Sequence, residues 1–408
     1  MALIVQKYGG TSVGSVDLIN RVAARVAAVR ERGDQVAVVV SAMGDSTDRL
    51  VDLAKQVMPE PTPREMDVLL TTGEQVSIAL LAMALNSRGI PARSFTGAQV
   101  RVLTTSTHGR ARIENVETER LRAALDEGLV PIVAGFQGVD ADGNITTIGR
   151  GGSDTTAVAL AVALKADECQ ILTDVDGVYT TDPRVVPDAR RLDRLTFEEM
   201  LELAGQGSRV LHLRSVEFAA KYNVPLRVLA SFGTGPGTLI CKEDKRVEAP
   251  VVAGVAFNRD EAQITVSGLP DSPGTAYSIL KPVSDANIEI DMIVLATSRS
   301  GSTDLSFTVH RDDYAQVFRL VQSAARAHSG CFVVGNDRVA KLSIVGVGMR
   351  SHAGVATQLF GMLANAGVPM HLVSTSEIKI SVLVPEEHLE NCVSRTHKAF
   401  ALSRPSTG

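Results

Sequence analysis

The sequence predicts an α/β chain in two parts: a mostly parallel sheet sandwiched by helices over residues 1–246, then two small βαββαβ units, at 262–335 and at 251–257 plus 340–404. Three observations predict it. Short apolar runs alternate with helix-period segments through the first part. Glycine-rich turns stand at the ends of two of these runs, around Gly9 and around Gly151. From Ile264 onward the order of elements plays once and begins again at Leu342, about 80 residues later.

Composition narrows the class. The chain has 408 residues, 45% hydrophobic and 21% charged, enough for two or three domains with cores. A net charge of -5 without a basic run argues against nucleic-acid binding. The four cysteines, Cys169, Cys241, Cys331 and Cys392, form no CxxC pair and read as reduced thiols. Met1 leads at once into a strand pattern and no apolar run approaches the ~20 residues of a membrane span. A cytoplasmic enzyme is expected.

Ala2 to Gln6 reads as a buried strand, followed by Lys7-Tyr8-Gly9-Gly10 and a helix with Ile19, Val22, Val26 and Val29 on one face. Strand, glycine turn and helix together cradle phosphates. The turn is not a P-loop, because Ser15 follows Gly14 and the lysine precedes the glycines. Val36 to Val40 is a second buried strand, with Ser41, Gly44 and Thr47 at its carboxyl end, where open α/β sheets hold ligands. A Pro-rich link from Met58 to Pro63 leads to a long helical pattern containing Thr71-Thr72-Gly73-Glu74-Gln75. Glu74 either caps that segment or meets a cation. Strand 92–95, helix 115–126 and strand 130–136 come next.

Thr147 to Ala157 is the centre of the chain. Gly149, Gly151 and Gly152 flank Arg150, and Ser153-Asp154 suit the N-cap of an apolar helix. Glycines let backbone N–H groups converge on an anion at the positive end of a helix dipole, and arginine adds a fork matched to carboxylate or phosphate. Strand 170–173 ends in Asp174-Val175-Asp176-Gly177-Val178-Tyr179-Thr180-Thr181-Asp182-Pro183-Arg184, either a solvated turn or a nucleotide-side loop. Helices 197–204 and 210–222 and strands 226–229 and 238–240 close this part, and the charged patch 242–248 reads as a linker.

Beyond it, each repeat reads βαββα, the ferredoxin-like order. The first has helix 275–286, strands 288–294 and 304–309 and helix 313–327, closed by 331–334. The second has helix 355–366, strands 371–374 and 379–384 and helix 389–400, with 251–257 assigned to its edge. Such pairs usually bind; they seldom catalyse.

The blocks V-Q-K-Y-G-G-T-S-V-G, V-V-S-A-M-G-D-S-T, T-T-G-E-Q, T-I-G-R-G-G-S-D-T-T-A, T-D-V-D-G-V-Y-T-T-D-P-R and S-T-S-E-I-K-I-S, in this order from Val5 to about Phe400, resemble the aspartate kinases. These form the aspartokinase branch of the amino-acid kinase family, with two C-terminal ACT domains. The resemblance implies phosphorylation of the side-chain carboxylate of L-aspartate by MgATP to 4-phospho-L-aspartate, the entry to lysine, threonine and methionine. It implies that Lys7 neutralises the moving phosphoryl, with Gly9 and Gly10 as donors, and that Asp154 orients Lys7. Arg150 would take a carboxylate of aspartate and Glu74 its ammonium, with Ser41, Thr47 and Ser153 completing the pocket. Thr173, Asp174, Tyr179, Asp182, Arg184 and Arg209 would hold the nucleotide, with Mg2+ carried on its phosphates and no dedicated metal site. A homodimer through the ACT units is also implied, with lysine or threonine as effector near Asp271, Gly274, Leu295 and Ala296.

Departures touch regulation more than catalysis. G-S-R-V-L-H-L-R stands where the family has G-x-K-V-L-H-P-R, so Arg209 replaces a lysine and Leu213 a proline. Leu295-Ala296 stands where Gln-Asn is usual, Pro369-Met370-His371 where Asn-Ile-Glu/Gln is common, and Ala353 where proline is usual. Weak feedback inhibition is expected. The competing readings are a silent amino-acid sensor and a kinase of another acid such as glutamate, acetylglutamate, carbamate or UMP. Intact Lys7, Glu74, Arg150 and Asp154 argue against the first, and the paired tail and T-T-G-E-Q block against the second.

Overall fold

The computed structural model describes residues 1–207, 210–243, 251–297 and 301–403. The chain forms two compact units, and the first comprises Met1–Val178, Arg191–Ala204 and Arg209–Lys245. Its strands are β1 (Leu3–Tyr8), β2 (Gln35–Val40), β3 (Ala92–Phe95), β4 (Val102–Thr104), β5 (Ile113–Val116), β6 (Val130–Ala134), β7 (Gln137–Val139), β8 (Ile145–Thr147), β9 (Glu168–Thr173), β10 (Arg194–Thr196), β11 (Leu226–Ala230) and β12 (Thr238–Cys241). Eight of them make the main sheet, in the order β10-β12-β11-β9-β1-β2-β6-β3. Every pairing in it is parallel except β11 with β12. The near-continuous valines of β2 fit this place, because a strand covered on both faces has no polar side.

The helices around the site are α1 (Val16–Glu31), α2 (Ser46–Val57), α3 (Pro63–Leu70), α4 (Thr72–Asn86), α5 (Glu119–Asp126) and α6 (Gly152–Leu164). Ser15 caps α1 by accepting from the Leu18 N–H. Ile19, Val22, Val26 and Val29 of α1 pack with Ile78, Leu81 and Leu85 of α4 against β1, β2 and β6. Only Thr71, itself in helical geometry, separates α3 from α4, so 24 residues from Pro63 to Asn86 run on as one rod. By length and composition this rod could cross a membrane, which no single run of its sequence suggests; half of its apolar window is buried inside the protein.

Two local expectations change. Asn115 and Val116 belong to β5 instead of opening a helix, which starts at Glu119. A second, four-stranded sheet, β5-β4-β7-β8, was not anticipated. Its strands have three or four residues, too few to show a period.

The second unit comprises Tyr179–Arg190, Gly205–Ser208 and the chain from Arg246. Its strands β13 (Gly254–Pro270), β14 (Ile290–Thr297), β15 (Ser302–His310), β16 (Phe332–Val345), β17 (Leu372–Thr375) and β18 (Lys379–Pro385) form one antiparallel sheet, β14-β15-β13-β16-β18-β17. The long strands β13 and β16 pair along both halves, so the two repeats share one sheet. Each repeat has its own core, one with Ile264, Ile279 and Phe307, the other with Leu342, Leu359 and Val382. In each the first helix starts on a left-handed glycine, Gly274 or Gly354. Residues 242–243 follow β12, and the rest of the expected linker lies outside the described residues.

Candidate active site

A cavity of about 330 Å³ opens at the carboxyl ends of β1 and β2. Lys7, Gly10, Ser41, Thr47, Glu74, Arg150, Ser153 and Asp154, all singled out in the sequence, line it. Ala42, Gly44, Phe136, Gly149, Gly151 and Gly152 complete the wall. Of these six only Phe136 bears a large side chain. It has a left-handed φ of 68°, a backbone state that nothing in an apolar strand pattern announces.

Lys7 leaves β1 on the strand's carboxyl half, and its Nζ lies 2.6 Å from Oδ1 of Asp154. Both side chains are mostly buried, 12% and 13% exposed. The pair needs each other, since an unpaired charge at that depth would be costly. Asp154 is not a helix cap as its sequence suggested. Gly151, at φ 72°, is the N-cap of α6, and Ser153 and Asp154 fall in the first turn. A Cβ on Gly151 would lie 2.2 Å from Cγ of His212, so this position admits only glycine while the imidazole packs there. The acid therefore gains the helix dipole through its place in the first turn, not through a cap.

Glycines 9 and 10 divide their work. The Gly9 N–H donates to the Leu172 carbonyl at 3.3 Å, and Gly10 is the one that faces the cavity. A Cβ on Gly10 would stand 2.9 Å from the Ala42 carbonyl, so the turn after β1 and the turn after β2 meet at backbone distance.

Glu74 enters from the first turn of α4 and is 3% exposed. Its Oε1 accepts the Ala42 N–H at 3.1 Å, whereas Oε2 is buried without a partner. Burial lifts its pKa from 4.5 to about 7, against the lowering effect of its backbone hydrogen bonds. Glu74 thus stands in the first turn of α4, as the cap reading has it, with one oxygen left over, as the cation reading requires. Arg150 is exposed at the mouth, on the loop between β8 and α6.

The expected nucleotide-side residues do not line this cavity. Thr173 and Asp174 end β9, where the Thr173 hydroxyl donates to Asp174 at 3.0 Å. Tyr179, Asp182 and Arg184 belong to the second unit. There Val186 is buried in the core of the second repeat, and the Thr180 hydroxyl lies 2.9 Å from Nε2 of His397. Burial of Val186 groups this segment with the second unit, a packing that charge and turn patterns do not reveal. Asp182 accepts from Arg184 at 2.7 Å, which holds its carboxyl below the usual range. Arg209 lies outside the described residues. Asp271 and Gly274 sit between β13 and the helix Thr275–Asp285, and Leu295 and Ala296 are exposed on the edge strand β14. Leu295 is 56% exposed.

Residues 2–230 match the model of the amino acid kinase family, and residues 342–400 match that of the ACT domain. An aspartate kinase of Pseudomonas putida is 59% identical over 407 residues, covering 100% of this chain and 99% of its own. Among solved structures, E. coli aspartokinase III in complex with aspartate and ADP (R-state) is 28% identical with a TM-score of 0.79, covering 97% of this chain and 99% of its own. The same enzyme with lysine and aspartate (T-state) has a TM-score of 0.76 at 28% identity, covering 98% and 99%.

Proposed function

This chain belongs to the amino acid kinase family, and on that premise we propose how its cavity works as the site of an aspartate kinase. The reaction joins a carboxylate oxygen of L-aspartate to the γ-phosphorus of ATP and breaks the bond to the bridging oxygen, leaving ADP. The observation that carries the reading is a single cavity holding a buried lysine paired with a helix-N-terminal acid, a buried glutamate with one free oxygen, and an arginine on a glycine loop.

The nucleophile needs no general base, because a carboxylate with an ordinary pKa of roughly 3.9 is ionised at neutral pH. Catalysis reduces to placement and charge. Lys7 faces the phosphoryl in transit, held at its angle by Asp154. The Gly10 backbone and the Ser153 and Asp154 N–H groups at the start of α6, which have no partner within the helix, would complete an anion cradle. Glu74 Oε2 takes the substrate ammonium and Arg150 a carboxylate, with Ser41, Thr47 and Ser153 around them. Thr173 and Asp174 would hold the nucleotide at the end of β9. Mg2+ carried on the nucleotide phosphates would supply further neutralising charge.

The enzyme would work in the cytoplasm, on the route to lysine, threonine and methionine, as a homodimer through its ACT units. Exposed Ile293, Leu295, Phe332 and Val334 support that dimer, at 52, 56, 59 and 53% exposure. Lysine or threonine is the proposed effector of these units. Trapping the acyl phosphate with hydroxylamine tests the activity: product from ATP and aspartate, and none from glutamate, acetylglutamate or carbamate, is expected. Product from one of the other acids and none from aspartate would overturn it.

A further inference from the structure

The rod formed by α3 and α4 carries a second acid, Asp67, which the reaction does not use. It is 0% exposed, yet its carboxylate is fully engaged. Oδ1 accepts the Thr147 hydroxyl at 2.6 Å and the Gly109 N–H at 3.0 Å, and Oδ2 lies 2.7 Å from Nδ1 of His108. Thr147 ends β8, three positions before Arg150. The gripped turns are tight as well, since a Cβ on Gly149 would stand 2.9 Å from the Gly109 carbonyl.

The same rod carries Glu74. Between Asp67 and Glu74 the helix geometry is unbroken, and the Thr71 N–H donates to the Asp67 carbonyl at 3.2 Å. Seven residues of helix span about 10 Å. One point on a stiff rod thus presents the ammonium acceptor, and a point two turns earlier grips the strand that leads to the arginine loop. Mere cohesion does not need a buried carboxylate there, because apolar groups of similar volume serve as well or better. What a carboxylate with several directed bonds adds is register.

We propose that Asp67 is a positioning residue that fixes the span between Glu74 and Arg150, and through that span selects a four-carbon over a five-carbon acidic amino acid. The proposal rests on the assignment of Glu74 and Arg150 to the two ends of the substrate. A loop released by a fraction of an ångström to 1 Å loses up to about a hundredfold in rate even when the change is remote from the chemistry. Binding of aspartate suffers first, because the clasp holds the strand that leads to Arg150 and touches neither Thr173 nor Asp174.

The test is steady-state kinetics of the full chain carrying Asp67→Ala, Asp67→Asn or Thr147→Val, with aspartate and with glutamate. Asp67→Ala is expected to raise KM for aspartate about tenfold or more, to leave KM for ATP within about twofold, and to narrow the preference for aspartate over glutamate. Asp67→Asn, which keeps an oxygen for Thr147 and Gly109, is expected to restore most of this. If Asp67→Ala does not fold, Thr147→Val carries the test, with the same direction and about a threefold shift. A purely structural acid would lower the active fraction and leave both KM values and the preference unchanged, and that result overturns the proposal. Arg150→Lys, run alongside, separates the two levels. If it leaves KM for aspartate unmoved, the substrate assignment itself fails; if it shifts KM while the Asp67 and Thr147 variants do not, only the clasp fails.

Discussion

The Lys7 ammonium lies 2.6 Å from the Asp154 carboxylate, a strand end and a helix start joined across the floor of one cavity. Asp154 holds the lysine against the first turn of α6, where the helix dipole also favours anions. The lysine's charge is therefore held in place before any phosphate arrives, with little reorganisation left for the reaction.

Lys7→Ala should abolish most acyl-phosphate formation while the protein still folds. Loss of one such preorganised contact costs about 2.7–4 kcal/mol of barrier, or roughly 10²–10³ in rate. Hydroxamate trapping and circular dichroism check both halves. Turnover near that of the unaltered enzyme would remove Lys7 from the reaction.

Arg150→Lys keeps the charge and loses the planar fork. KM for aspartate should rise by about tenfold with little change in KM for ATP, as expected for one charge-assisted hydrogen bond of about 1.5–3 kcal/mol. If ATP affinity alone moved, the arginine would belong to the nucleotide.

Glu74 gives the enzyme a pH signature. Its folded pKa of about 7 lies above the ordinary 4.5, so the protonated form is the one that folding favours. Its contribution to stability is full below about pH 4.5 and is lost as pH rises to about 7, amounting to about 3 kcal/mol. Binding the substrate ammonium needs the opposite, ionised form. KM for aspartate should therefore fall as pH rises through 7, with a proton released on binding. Glu74→Gln should flatten melting temperature against pH between 5 and 8 and weaken aspartate binding most above pH 7, with the difference shrinking at lower pH. A pH-independent KM in the unaltered enzyme would contradict the role given to Oε2.

Regulation should be weak. Leu295 and Ala296 stand exposed on β14 with no side-chain donor or acceptor, where the family pattern has Gln-Asn. An amino-acid effector needs polar partners for both its charges, and each lost hydrogen bond to a charge costs about 1.5–3 kcal/mol. Allosteric coupling is itself only about 1–3 kcal/mol. Inhibition by threonine, alone or with lysine, should be shallow, and Leu295→Gln with Ala296→Asn should strengthen it. Tight, cooperative inhibition of the unaltered enzyme by micromolar threonine would refute this.

Local rules of the sequence determined a great deal of this protein by themselves. The valine run of β2, the helical spacing of Ile19, Val22, Val26 and Val29, the arginine among glycines and the recurrence at Leu342 each follow from the period of one element, and periodicity is written into consecutive residues. They led to the α/β fold with its paired C-terminal repeats and to most of the cavity wall. Only the tertiary structure decided who meets whom. That Glu74 spends one oxygen on Ala42 and keeps the other free, that His212 leaves room only for glycine at the cap of α6, and that Asp67 grips Thr147 depend on partners far apart in the chain. The short strands β4, β5, β7 and β8 exist because they pair with one another, and Tyr179–Arg190 sits in the second unit because Val186 is buried in that unit's core. Periodicity tells which face of an element is apolar, and packing alone tells what covers it.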